Sequence, residues 1–483
     1  MEIKNLLFEN KGLRKTIAKN TFWLFSAEII ARLLSLVLVI YIARILGVLE
    51  YGRFSFALSF ALFMSILADL GVTDISTREF SRDEKNEKKF AGIFTLEAVL
   101  CFVTLIITIV GSFFITHDYS VRKMIWILIL FVLSSSLLGI LFSFLRARQK
   151  MEYEAIVKIS QALINIFLVF FVLFYFPTAV NVSYGYLFST LLSLLIFALF
   201  FGFYFQPIKL EFKKGIFEIL KISWPLSLGF MPGWLYMSVN SIMLGYFDLI
   251  NENGWYSAAS RIAIATMIIA NLVMRSFYPA LSKLFFQTGE KIKDTWNYLA
   301  ESMVFLVVPI AVGGVALAPK IIDSFYGSDF NPSVFALQLL MLVAVISFIN
   351  YPYTIMLIIA NHQKENFVLI VAGAVINIFL NFVFIPRYGF YSVILATIIA
   401  SFLVFFATVL LSQKNKIFIP FNNRFFKTVF VSLLSGLIMY TIINYRLVYN
   451  FNIFLTCLVG GLIYLSVFFL FNKIVFGRKL IIF

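Results

Sequence analysis

Two arginines lie at depths in this chain where membrane topology gives them no reason to be. Arg32 falls about twelve residues into the first apolar run, roughly 18 Å along a helix and close to a bilayer midplane. An arginine at that depth costs about 2.5–3.5 kcal/mol on insertion scales, so it must face a partner or a wet cavity. Glu28, four residues earlier, shares its helix face. Two accounts stand side by side: a local Glu28–Arg32 ion pair that stitches helix packing, or an anion ligand held in position by Glu28. Arg261, about seven residues into the eighth run, has no acid at helical spacing and is the better ligand candidate. Arg53, at the start of the second run, occupies nearly the equivalent place in the first half of the chain, although snorkelling to the interface accounts for it as well. Arg44 and Arg275 read as helix-end residues. A guanidinium keeps its charge and grips oxyanions bidentately, so the partner of several inward arginines is a phosphate-type anion, and a pyrophosphate fits best.

Acidic groups in the runs are candidates for coupling transport to an ion, H+ or Na+. Glu97 lies one and a half turns into the third run and Asp69 near the end of the second. Both are close enough to run ends that pairing with Arg78, Lys88 or Lys89 is the simpler account. Asn165, Asn377 and Asn381 are candidate polar groups of a cavity; bonding across helix contacts, at about 1 kcal/mol each, is the alternative. The seventh run carries Trp224-Pro225, Gly229 and Pro232-Gly233. Proline removes a backbone donor and clashes with the preceding turn, so Pro225, Gly229, Pro232 and Gly233 mark either a hinge or a static kink. Cys101 and Cys457 have no metal-ligand or redox spacing, and His117 and His362 fall between runs. No metal and no cofactor are expected.

What must position these groups follows from composition. Of 483 residues 61% are hydrophobic and 13% charged, with a mean hydropathy of +0.96; such a surface belongs in lipid. A bilayer core about 30 Å thick takes about 20 apolar residues per helix, and a backbone in lipid must satisfy its own hydrogen bonds. The expectation is an all-α integral membrane protein of about fourteen transmembrane helices, near 20–44, 53–70, 91–115, 123–145, 155–176, 182–205, 217–247, 254–275, 298–321, 334–360, 366–386, 388–412, 424–444 and 452–475. The first is a membrane helix rather than a signal peptide, being too long and lacking a small-residue cleavage site. With the N-terminus inside, 30 of the 39 lysines and arginines fall on the inner side and 7 on the outer; Arg32 and Arg261 make up the rest. That asymmetry places both termini in the cytoplasm of a multi-pass protein of the cell membrane. It also accounts for the net charge of +15, which is spread over short segments and does not form a nucleic-acid surface.

Segments match across the chain. Ala147-Arg148-Gln149-Lys150 with Ile164-Asn165-Ile166-Phe167-Leu168 parallels Ala360-Asn361-His362-Gln363-Lys364 with Ile376-Asn377-Ile378-Phe379-Leu380, offset by 212 to 214 residues. Gly52-Arg53-Phe54-Ser55 parallels Gly254-Trp255-Tyr256-Ser257 at 202, and Tyr184-Gly185-Tyr186 parallels Tyr388-Gly389-Phe390 at 204. These matches divide the chain into two six-helix bundles, 1–208 and 209–415, followed by helices 13 and 14 in 416–483. Six being even, the halves are parallel, related by a pseudo-two-fold along the membrane normal, an arrangement suited to alternating access.

Four local patterns complete the reading: Ala68-Asp69-Leu70-Gly71 followed by Thr77-Arg78-Glu79; Tyr256-Ser257-Ala258-Ala259 with Arg261; Tyr278-Pro279-Ala280-Leu281-Ser282; and Phe325-Tyr326-Gly327-Ser328-Asp329-Phe330. In this order they resemble the polysaccharide-export, Wzx-type flippases of the multidrug, oligosaccharidyl-lipid and polysaccharide exporter superfamily, over essentially the whole chain. The resemblance implies a V-shaped pair of bundles moving polyprenyl- or dolichyl-diphosphate oligosaccharide from the cytoplasmic to the outer leaflet of the lipid bilayer, alongside other glycan-assembly membrane proteins. Related lipid II flippases line their cavity with arginines of the first, second and eighth helices, which implies the pyrophosphate role for Arg32, Arg53 and Arg261. Helices 13 and 14 resemble the lipid-tail groove of that branch. The competing functions are a multidrug exporter of the same fold, which calls for a buried acid, and a membrane glycan polymerase, which calls for a sizeable outer loop where none here exceeds about fifteen residues. The expectation is a transporter, not an enzyme.

Overall fold

The computed structural model describes residues 12–82, 87–205, 208–211, 216–285, 290–445 and 451–476. Helices make up the described chain: α1 (Leu13–Asp69), α2 (Val72–Arg82), α3 (Glu87–Ile115), α4 (Tyr119–Ala147), α5 (Met151–Tyr175), α6 (Ala179–Tyr204) and α7 (Ile216–Tyr246) are followed by α8 (Ile250–Phe285), α9 (Glu290–Tyr326), α10 (Ser333–Ile359), α11 (Gln363–Tyr388), α12 (Phe390–Lys414), α13 (Asn423–Ile443) and α14 (Ile453–Phe476). Twelve runs are long and apolar enough to cross a membrane. Helix α1 breaks at Gly47, whose φ of 75° leaves the helical region, so it supplies two arms. Counting both and adding the 31-residue α7 brings the twelve to the expected fourteen. The protein is a multi-pass membrane protein, and its lipid-facing side chains are large and apolar: Phe102, Phe114, Phe167, Phe174, Phe203, Phe379 and Phe454 are all exposed.

The ends of the helices are set locally. Asp118, Thr178 and Asn422 cap α4, α6 and α13 by accepting from the N–H groups of Ser120, Asn181 and Phe425. The Ala68-Asp69-Leu70-Gly71 pattern is a turn: α1 stops at Asp69, and Leu70 and Gly71 take φ of 41° and 75° before α2 starts. Ala147-Arg148-Gln149-Lys150 and its counterpart around Asn361 form one construction twice. Gln149 and Asn361 adopt φ of 57° and 62°, and the N–H groups of Lys150 and His362 reach back to the carbonyls of Leu145 and Leu357. Every partner is displaced by 212 residues. The same displacement relates Asn165 to Asn377, each bonded to a hydroxyl of the next helix, Ser189 at 3.2 Å and Thr397 at 3.3 Å. The Tyr184-Gly185-Tyr186 match does not survive: Gly185 lies inside α6 against Val169, whereas Gly389 stands between α11 and α12 with φ of 59°. Similar triplets in an aromatic-rich sequence have there taken different backbones.

Two compact units emerge, Met1–Gly254 and Trp255–Phe483. In the first, α1 packs against α3, α4, α5, α6 and α7, and the rings of Phe80, Phe90, Phe144 and Phe201 meet in its core. Ion pairs tie the start of α1 to the α4–α5 turn: Lys19 donates to Glu152 at 3.0 Å, Asn20 to Gln149 at 2.7 Å, and Arg146 grips the fully buried Glu154 with two bonds of 2.6 and 2.8 Å while Lys158 adds a third at 2.9 Å. Within this unit Gly52 lies directly against the carbonyl of Ile250 and Gly254 against that of Val48. Asn253 completes the crossing by donating to Gly52 O at 2.8 Å and accepting from Ser241 at 2.7 Å. The second unit is built around Trp296, Met303, Phe305, Tyr353 and Phe425, and α13 and α14 share that core. Tyr464 donates to Phe305 O at 3.0 Å, and Gly436 admits Val308.

A Cβ at Gly52 would collide with backbone, which cannot give way. Gly52→Ala is therefore expected to cost about 1–3 kcal/mol, the range of overpacking, read as a lowered melting temperature in detergent. Gly202→Ala, with nothing within 4 Å of the new methyl, should be neutral or slightly stabilising through helix propensity.

Candidate functional site

The charged residues of the first unit divide into those that hold the fold and those that do not. Arg53 belongs to the first kind. Its Nη1 donates to Glu50 at 2.7 Å and its Nε lies 3.1 Å from Asp118, while the other oxygen of Glu50 accepts from the N–H of Ala179 at 3.4 Å. The second arm of α1 is thereby clamped to the starts of α4 and α6. Arg32 and Glu28 form the i, i+4 pair that the sequence allows, at 2.6 Å, yet both side chains are about half exposed, 52% and 44%. Such a pair contributes little to stability, and both groups keep access to a ligand. Glu28 and Asp74 are each within electrostatic reach of Arg146.

Asp69 and Glu97 do not pair with Arg78 or Lys89 among the described residues, and the side chain of Lys88 lies outside them. Arg78, Arg82 and Lys89 converge on Glu79 instead, with Lys89 at 2.7 Å. Asp69 accepts from the N–H of Thr73 at 2.9 Å, starting α2, and lines a cavity of about 340 Å³ together with Ser65, Asp74, Phe131, Ser135 and Ser136. Glu97 is fully buried; its Oε1 accepts from Ser136 at 2.5 Å, and among the described residues its Oε2 has no hydrogen-bond partner. Ser136 thus joins the cavity wall to the buried acid. Asp74, Ser135 and Ser136 were not singled out from the sequence, although the run Ser134-Ser135-Ser136 in an apolar helix was a legible signal.

The second unit holds Arg261. It is half-buried in α8, and among the described residues it makes no ion pair and no hydrogen bond. Around it the sequence patterns turn out to be structural. Tyr256, Ser257, Ala258 and Ala259 are buried, and the neighbouring Trp255 donates to Asp329 O at 3.1 Å in the short turn Ser328–Phe330 and accepts from Ser333 at 2.8 Å. Asn377 and Asn381, bonded to each other at 3.1 Å, are buried at the α11–α12 contact. Asn165 is half-buried at the α5–α6 contact. Pro225, Gly229, Pro232 and Gly233 fall inside α7, with side chains outside the described residues. Among the described residues no three His, Cys, Asp or Glu side chains gather as metal ligands, and Cys101 and Cys457 are free.

Comparison with known proteins places this geometry. The family model described as polysaccharide biosynthesis protein matches residues 17–285. The chain is 23% identical over 440 residues to the probable flippase AglR of Haloferax volcanii, spanning 87% of this chain and 89% of that one. Its fold is similar to the lipid II flippase MurJ in an inward closed conformation, with a TM-score of 0.76 at 19% identity over 94% of this chain and 98% of the other. It is also similar to an inward-facing MATE family multidrug resistance transporter of the MOP superfamily, with a TM-score of 0.64 at 14% identity over 80% and 95%.

The division of the arginines makes a prediction that needs no substrate. Arg53→Gln removes the ion pairs to Glu50 and Asp118 and should destabilise by about 1–3 kcal/mol, whereas Arg261→Gln should leave the melting temperature unchanged or raise it. Equal destabilisation in differential scanning fluorimetry would assign Arg261 a structural role instead.

Proposed function

The chain belongs to the polysaccharide biosynthesis protein family, and on that premise we propose that it is a flippase carrying a polyprenyl- or dolichyl-diphosphate-linked oligosaccharide from the cytoplasmic to the outer leaflet of the cell membrane, with both termini in the cytoplasm. The observation that carries this reading is Arg261, a half-buried cation in an apolar helix with no acid among the described residues to neutralise it. A fixed positive charge in such a place is costly unless a ligand completes it, and the ligand must be anionic. A diphosphate supplies four or more oxygens at the spacing a guanidinium grips. Arg32, in the first unit, is a second candidate for the same chemistry, with Glu28 to orient it. Arg53 stands further back, since it is already paired with Glu50 and Asp118; its part is to clamp the second arm of α1.

The two six-helix halves, 1–208 and 209–415, would then expose the bound headgroup to each side in turn, with α7 and its Pro225–Gly233 segment as the hinge and the lipid tail left in the bilayer near α13 and α14. Coupling to a proton or sodium gradient falls to Asp69 and Glu97. One observation favours a second reading, export of a cationic drug: the cavity beside Asp69 and Asp74 is acidic, and the fold is shared with a multidrug transporter.

Reconstitution into vesicles separates these. With fluorescent polyprenyl-diphosphate oligosaccharide in the inner leaflet, the wild type should deliver it to the outer leaflet, and Arg261→Ala and Arg32→Ala should each abolish delivery while inserting normally. Undiminished delivery by both variants would overturn the diphosphate role of the arginines, and efflux of a cationic dye without movement of the lipid-linked sugar would favour the second reading.

A further inference from the structure

The chain carries its own control for Glu97. Helices α3 and α9 begin at Glu87 and Glu290, 203 residues apart, and Glu97 and Glu301 lie 204 apart on them, within the span of offsets that relate the two halves. Both are buried acids. Glu301 is neutralised from α13, whose Arg424 approaches to 2.9 Å. The first half has no counterpart of α13 in sequence, and among the described residues no cation pairs with Glu97.

What does face Glu97 can be named element by element. Helix α1 presents Asp69, another acid, within electrostatic reach. Helix α4 presents Ser136, which donates to Oε1, while the cations Arg78 and Arg82 of α2 and Lys89 of α3 are held by Glu79. The charged side chains described on α7, Glu218 and Lys221, point outward and are exposed. On α3 itself the same face continues with Cys101, Thr104, Thr108 and Ser112, all buried, and Thr104 Oγ1, like Glu97 Oε2, has no hydrogen-bond partner. An ionised carboxylate in that setting would be a buried charge without a counter-charge, which is far more costly than a buried neutral acid.

We propose that Glu97 is a proton-binding site, occupied in this conformation by a proton on Oε2, which exchanges with water through the Asp69-lined cavity by way of Ser136. Release is an ionisation in two concerted transfers: the carboxyl turns so that its O–H donates to Ser136 Oγ in place of the present bond, the acid's O–H breaks with its electron pair left on the carboxylate, and Ser136, taking that proton, passes its own to water in the cavity it lines. Resting on the flippase reading, this makes H+ the coupling ion and Glu97 its carrier, with Asp69 at the mouth.

Infrared spectroscopy of the detergent-purified full chain at neutral pH tests the proton without any substrate. The carbonyl stretch of a protonated carboxyl should be present in the wild type, shift in D2O, disappear in Glu97→Gln and persist in Glu301→Gln. In vesicles carrying the polyprenyl-diphosphate oligosaccharide and a trapped pH dye, translocation by the wild type should move protons, and Glu97→Gln should lose that movement completely. A band that survives Glu97→Gln, or proton movement that does, overturns the proposal. So does wild-type translocation without proton movement, which would leave the flippase reading intact. Conversely, failure of the wild type to translocate any lipid-linked sugar removes that reading, while the infrared band still decides the site.

Discussion

A charge inside a body solvated by lipid has to be answered by another charge, and this requirement organises the molecule. Exposed side chains on the long helices are phenylalanines, leucines and isoleucines, so polar groups are driven to helix contacts and helix ends. There they pair: Lys19 with Glu152, Arg146 and Lys158 with Glu154, Arg53 with Glu50 and Asp118, Arg424 with Glu301. Breaking one of these from one side leaves an uncompensated ion in low dielectric, which is why such pairs specify an arrangement even where they add little net stability. Against that background an unanswered charge or acid is informative. Arg261 and Glu97 are two such groups among the described residues, one basic and one acidic, one in each unit.

The same requirement explains how much was legible beforehand. Helix number and class followed from run length, because a backbone in lipid has few options. Gln149 and Asn361 showed the repeat in sequence, and their matching left-handed turns show it in structure. Partner choice was not legible. The Glu28–Arg32 pair was foreseen because both ends lie on one helix. Arg53 was read as a ligand or a snorkelling residue because its partner Asp118 is 65 positions away, in a loop that only the fold brings near. Sequence spacing points Asp69 and Glu97 to cations close in the chain, but Arg78 and Lys89 have a better placed acid in Glu79. Spacing rules apply within one helix; assigning partners between helices needs the packing.

Glycines and hydroxyls tell a parallel story. Gly52 and Gly254 looked like repeat markers, and they prove to be points of backbone contact where any side chain would intrude. The asparagines 165, 377 and 381 were weighed as cavity groups or as helix-contact groups, and their bonds to Ser189, Thr397 and one another are across or along packed helices. A polar residue in an apolar helix is thus poor evidence of a ligand unless its partners are known.

The divergence of the two halves bears directly on mechanism. Were the halves equivalent, Glu97 and Glu301 would be answered alike. Appending α13 and α14 to one side changed this: Arg424 neutralises Glu301, Gly436 lets α13 seat on Val308 and Val312, and Tyr464 of α14 bonds to Phe305 O. Helix α9 has thereby become a packed core element whose face is Met303, Val304, Val307 and Val308, while the matching face of α3 keeps Glu97, Thr104, Thr108 and Ser112. The cost of a buried acid has been cancelled in one half and retained in the other. Retention is what a site that must gain and lose a proton requires, because a permanent cation beside Glu97 would hold it ionised throughout the cycle. In the mechanism proposed above this asymmetry divides the work: Arg261 in the second unit would supply the fixed charge for the anion, and Glu97 in the first the acid whose charge can change.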